Sequence, residues 1–151
     1  MFERTGPNRG ELAKAQLTLQ EAETKLERIV ALLAERRSER LNLENHIQEA
    51  AANGDMDRLV DLQNRAGVVE KTIAELQSAE AECARRVDSA RRYLYTLYVR
   101  LEKLRQEFSG LMRTLASMDQ GESVPMDVQT SIGRIKIQLK AITGENSTGR
   151  L

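Results

Sequence analysis

Residues 55–118 read DMDRLVDLQNRAGVVEKTIAELQSAEAECARRVDSARRYLYTLYVRLEKLRQEFSGLMRTLASM. Alternate steps of three and four pick out Leu59, Leu62, Ala66, Val69, Ile73, Leu76, Glu80, Cys83 and Val87. They continue through Ala90, Leu94, Leu97, Leu101, Leu104, Phe108, Leu111, Leu115 and Met118. The phase never breaks, and Glu80 is the one polar residue in the series. A 3.5-residue period held this long predicts a coiled-coil seam on one continuous helix, about 95 Å long at 1.5 Å per residue.

A second heptad precedes it, in Leu12, Ala15, Leu19, Ala22, Leu26, Ile29, Leu33, Arg36, Arg40, Leu43, Ile47 and Ala50. Asn53-Gly54 supplies a left-handed residue that stops the first helix near residue 52, and Asp55 caps the next. So short a connection forces the helices side by side and antiparallel. Pairing residues whose numbers sum to 109 brings Ala50 to Leu59, Ile47 to Leu62, Leu43 to Ala66 and Leu33 to Leu76. The same rule brings Leu26 to Cys83, Ala22 to Val87, Leu19 to Ala90, Ala15 to Leu94 and Leu12 to Leu97. Five of these nine layers set Ala against a larger residue, which keeps the seam volume even.

Beyond Leu97 the long helix needs another cover. After a break at Asp119-Gln120-Gly121-Glu122-Ser123, with Pro125 suited to a first helical turn, a stripe runs through Val128, Ile132, Ile135, Leu139 and Ile142. These pair with Leu115, Leu111, Phe108, Leu104 and Leu101, every sum being 243. Ile135-Lys136-Ile137-Gln138-Leu139-Lys140 also alternates as a strand would, and Gly133 weakens a helix. Helix is the expectation, because its stripe meets a waiting partner and a strand has no sheet to join. The sequence therefore predicts an all-α fold: a long antiparallel coiled-coil hairpin with a short third helix folded back on the C-terminal third of the second. Helices are expected over about 11–52, 55–118 and 126–142 of one elongated domain spanning 11–142. A loose lead-in occupies 1–10 and a tail 143–151, after Gly144 ends the third helix.

Composition fits thin helical seams rather than a thick core: 30% charged, 3% aromatic and no Trp in 151 residues. Zero formal net charge argues against a general nucleic-acid binder. Arg outnumbers Lys by 17 to 6, which suits forked pairing with carboxylates. A single cysteine, Cys83, lies on the seam and reads as a small buried hydrophobe. The Met1–Gly6 stretch has no apolar signal-peptide core, and Tyr93–Val99 is too short to cross a bilayer, so a cytoplasmic protein is expected.

No catalytic constellation, cofactor motif or metal cluster stands out. His46 is the only histidine, on an Arg- and Glu-rich helix, and the glycines form no phosphate loop. At the hairpin tip, Asp55 reads as a cap and Asp57 as a favourable charge near a helix N-terminus. The polar seam residues Arg36, Arg40 and Glu80 read as register control. Lys25 and Arg28 are the expected partners of Glu80, and Glu70 lies near Arg36 and Arg40. Arg36, Arg37 and Arg40 could alternatively form a docking patch for an acidic partner.

Apolar residues off the seam are the most informative about function. Tyr93, Tyr95 and Tyr98 crowd beside Val99 with Arg91, Arg92 and Arg100 near them, and Val30, Leu32, Leu41 and Leu17 also fall outside the a/d stripe. A two-helix coil needs only its seam, so these imply a further partner, and Tyr with Arg is the residue pair that anchors interfaces. The expected function is a non-enzymatic assembly or adaptor protein that self-associates, with a dimer favoured, and presents helical faces to a helical protein partner. The alternative is a peripheral binder of anionic membrane or another polyanion. It would use the basic third helix, with Arg134, Lys136 and Lys140, and the Arg clusters.

Overall fold

The computed structural model describes residues 10–118 and 123–144. Residues 1–9 of the expected lead-in, 119–122 of the expected break and 145–151 of the expected tail lie outside the described residues, whereas Thr143, expected in the tail, is the last residue of the third helix. Three helices make up the fold: α1 (Glu11–Asn53), α2 (Met56–Ala116) and α3 (Met126–Thr143). α2 is unbroken through Ser109-Gly110, and residues 132–142 are helix, not strand. α1 packs on α2 as an antiparallel hairpin, and α3 packs on α2.

Burial follows the heptads residue by residue. Every a and d position of α1, α2 and α3 is buried or half-buried, including Arg36, Arg40 and Glu80. Departures are confined to helix ends. α2 stops at Ala116, two residues short of the sequence expectation, because Ser117 and Met118 turn their amides back to the carbonyls of Thr114 and Leu115. Such i→i+3 bonds tighten a last helical turn. Pro125 sits just outside α3 as its N-cap residue, one position earlier than expected.

The connection between α1 and α2 is a Schellman turn followed by a cap. Gly54 has φ 70°, its amide donates to Ala51 O at 3.2 Å, and the Asp55 amide donates to Ala50 O at 3.0 Å. Asp55 Oδ1 then accepts the Arg58 amide at 3.2 Å, satisfying an orphan donor of the first turn of α2. α3 ends on the simpler left-handed cap: Gly144 has φ 74° and donates to Lys140 O at 2.7 Å.

Two compact units share these helices, one formed by Gln20–Asp88 and the other by the residues up to Leu19 with those from Ser89 onward. In the Gln20–Asp88 unit, Ile29, Leu33, Leu43 and Ala50 of α1 close on Leu62, Val69, Ile73 and Cys83 of α2. In the other unit, Leu101 and Leu104 of α2 close on Ile135, Leu139 and Ile142 of α3, and Leu12, Phe108 and Leu111 pack against them. Leu12 belongs to this cluster because the start of α1 abuts the end of α3. A Cβ added to Gly10 would lie 2.5 Å from Ile142 O and from the Thr143 carbonyl carbon, and would strike the Gly144 amide nitrogen. The positive N-terminal end of α1 thus meets the negative C-terminal end of α3, an arrangement the two helix dipoles favour.

Candidate interaction surface

The surface is built on the hairpin seam. With Leu12 and Ala15 as a and d of α1, and Leu59 and Leu62 as a and d of α2, each helix carries two flanks. Positions e and b lie on one side of the seam, g and c on the other. In an antiparallel pair e neighbours e and g neighbours g. Side-chain bonds in the unit that holds Tyr93 and Tyr98 show both. Gln16 Nε2, at e, donates to the Tyr98 hydroxyl, also at e, at 3.0 Å. Tyr93, at g, donates to Glu11 Oε2 at 3.2 Å, and Arg100 donates to Glu11 Oε1 at 3.3 Å.

The expectation of one tyrosine cluster needs correction. Tyr93 and Tyr98 are five residues apart, so at 3.6 residues per turn they point about 140° apart and bond to opposite flanks of α1. Each ties α1 to α2 through its hydroxyl, while half its surface stays in water. Tyr95 is the free one, 70% exposed, and Val99 is 47% exposed. Arg91 and Arg92 are exposed guanidinium groups that each already engage in an interaction within the chain. Beside Tyr93, a surface groove of about 240 Å³ is lined by Glu11, Lys14, Ala15, Thr18 and Ala90. The small side chains of Ala15 and Ala90 leave it.

In the Gln20–Asp88 unit the two flanks differ in chemistry. The g/c side holds the ion pairs Asp61–Arg65 at 3.2 Å and Glu82–Arg86 at 3.2 Å, with His46 Nδ1 3.7 Å from Glu49. Arg85 adds a 2.6 Å contact to Glu82, and these two arginines hold the Glu82 carboxyl below its ordinary 4.5 by hydrogen bonding first and by charge second. Leu32 and Val68 are exposed on this side too. The e/b side instead mixes Val30, Ala34 and Leu41 on α1, and Met56, Val60, Gly67, Ala74 and Ala81 on α2, with the charged Arg37, Glu44 and Glu70 and the amides Gln48, Gln63 and Gln77, all exposed. Met56 and Val60 did not emerge from the sequence, because they lie off the heptad stripe in the first turns of α2, next to the cap.

Two seam expectations also change. Arg36 pairs along its own helix, with Glu39 at 2.7 Å, and not with Glu70 across the seam. Glu39 lies three residues on along the same helix face, so the short intrahelical reach wins over a crossing of the seam edge. Glu80 is half-buried on the seam with no ion pair to Lys25 or Arg28 among the described residues. Arg37 and Glu70, both on the e/b side, have no ion-pair partner among the described residues.

No group of three His, Cys, Asp or Glu among the described residues could hold a metal ion. Cys83 is a buried free thiol. Among the described residues, no helix is long and apolar enough to cross a membrane. No family model matches the sequence, and comparison with curated proteins and with solved structures returned no match.

Proposed function

We propose that this chain is a non-enzymatic coiled-coil assembly protein that associates with itself and offers helical faces to a protein partner. One observation carries the reading. The seam already covers its own a and d residues, yet Val30, Leu32, Leu41, Tyr95 and Val99 remain 40–70% exposed. Apolar side chains left in water offer a surface for another chain where several share one flank, as Val30 and Leu41 do on the e/b side of the hairpin. A cytoplasmic setting suits the free thiol of Cys83.

The alternative, an anionic membrane or other polyanion as partner of α3, draws less support. The stripe of Ile135, Leu139 and Ile142 is spent on α2. That leaves Ile137, beside Lys136 and Lys140, and Met126, at the other end of α3, as the exposed large apolar residues of the helix, too little and too scattered an apolar surface for an interfacial helix.

Sedimentation equilibrium on the full chain tests the proposal. A mass at or above twice 17.0 kDa at micromolar concentration is expected. A monomer throughout, with salt-dependent binding to anionic vesicles, would instead favour the membrane reading.

A further inference from the structure

We propose that a second copy of this chain docks on the e/b flank of the Gln20–Asp88 unit. The two-fold axis runs parallel to the helices, so that α1 of each copy lies on α2 of the other. This inference rests on the assembly reading and specifies its partner and its surface.

The hairpin register supplies the geometry. Residues of α1 and α2 whose numbers sum to 109 share a level along the unit, and the packed cluster there contains such pairs, Leu43 with Ala66, Leu33 with Leu76 and Leu26 with Cys83. A two-fold axis along the helices keeps every residue at its level and sets α1 over α2 of the second copy. Leu41 then meets Gly67 of the second copy, Ala34 meets Ala74, and Val30 meets Ala81, each within about two residues of the same level. The bulky Leu41 and Val30 of α1 thus fall on the smallest residues of α2. At the tip the order reverses, with Ala51 of α1 between Met56 and Val60 of the second copy. Every neighbouring pair in the resulting four-helix cross-section is antiparallel, the arrangement of up-down bundles.

Charge follows the same symmetry. Arg37 faces Glu70 of the second copy two residues off level, and the axis makes the pair twice. Both groups lack an ion-pair partner among the described residues, whereas the opposite flank has pairs of its own. Size is adequate as well. Ala81 to Met56 spans about 38 Å at 1.5 Å per residue, and two helices about 10 Å apart make a strip of roughly 750 Å². Stable interfaces bury about 800 Å² per partner.

Gly67 adds a supporting detail. A Cβ there would meet nothing within 4 Å in its own chain, so the fold does not require glycine at this helical position. The same holds for Gly110 and Gly133, and glycine alone decides nothing. Gly67 differs in lying opposite Leu41 of the second copy, where a bare backbone lets the helices approach.

Mixing complementary variants tests the arrangement. Arg37→Glu sets a new carboxylate against Glu70 of its twin, and Glu70→Arg sets a new guanidinium against Arg37 of its twin. Each variant alone should raise the dimer dissociation constant at least about tenfold by facing like charges. An equimolar mixture should recover the dimer mass, because in the mixed pair one of the two contacts is the native one and the other is its charge-reversed equivalent. Pairing of Arg37 with Glu70 inside one chain cannot be restored by mixing. Circular dichroism on each variant should show helix content unchanged, since both positions are exposed. A wild-type dimer that both variants leave intact overturns this face and leaves self-association standing. A mixture that stays monomeric also overturns the face. A wild-type monomer up to high micromolar concentration overturns the assembly reading itself.

Discussion

Leu33 and Glu35 lie two residues apart on α1 with opposite fates. Leu33 is 1% exposed in the seam, and Glu35 stands in solvent. Leu33→Ala should cost about 2–5 kcal/mol, transfer and cavity terms together. Glu35→Ala should stay within about 0.5 kcal/mol. Urea unfolding of the two variants measures this, and equal midpoints would contradict the seam. Glu82 offers a pH test at the same scale. Arg85 and Arg86 lower its carboxyl pKa in the folded chain. That contribution to stability is present above the unfolded value near 4.5 and disappears as pH falls through the lower folded value. Glu82→Gln should therefore lower the melting temperature slightly at pH 7 and low salt. The difference should vanish once the pH is below the folded value, and also at about 1 M salt, because the group is exposed and screened.

At the scale of elements, three glycines separate backbone demands from packing demands. Gly54 adopts φ 70° with open space around it, so Gly54→Ala should cost about 1–2 kcal/mol through the left-handed backbone alone. Gly133 lies in a regular α3 with room for a methyl, and Gly133→Ala should add about 1 kcal/mol. Gly10→Ala drives a Cβ into the backbone of the last turn of α3. It should loosen that helix, visible as faster amide hydrogen exchange from Ile135 to Ile142 than in the wild type. Unchanged exchange there would deny the contact between α1 and α3. The three helices were legible because a 3.5-residue period survives any choice of scale, and the turn because Asn53-Gly54-Asp55 has one economical geometry. The meeting of α1 and α3 was also implicit, since the two registers put Leu12 opposite Leu97 and Ile142 opposite Leu101. Gly10 reads as lead-in because glycine next to a helix start has no period to betray it. The tyrosines show a different limit: closeness in sequence is not closeness in space, and the helix turns Tyr93 and Tyr98 apart. The partners expected for Arg36 and Glu80 differ from those found, because several charged groups lie within reach of a long side chain at a seam edge and sequence spacing does not rank them.

At the scale of the molecule, the consequence of self-association is coupling between unfolding and dissociation. A dimer that unfolds to two free chains gains stability with concentration by mass action, and a monomer does not. Two chains of 151 residues, at about 2 cal/mol/K per residue, carry an unfolding entropy of about 0.6 kcal/mol/K. A tenfold rise in concentration is worth about 1.4 kcal/mol at the dimer level, so the melting midpoint should climb by about 2 °C per decade. The climb should persist in high salt, where surface ion pairs weaken but apolar contacts do not. Tyr95→Arg asks whether the most exposed aromatic side chain, 70% in water, belongs to the same association. Since the proposed docking flank lies in the Gln20–Asp88 unit, Tyr95→Arg should leave the concentration dependence in place. Leu41→Arg, on that flank, should flatten it while the dilute-limit midpoint stays where it was. Calorimetry over about two decades of micromolar concentration on the three proteins reads the slopes. Flattening by Tyr95→Arg with none by Leu41→Arg would move the self-contact to the tyrosine-bearing face.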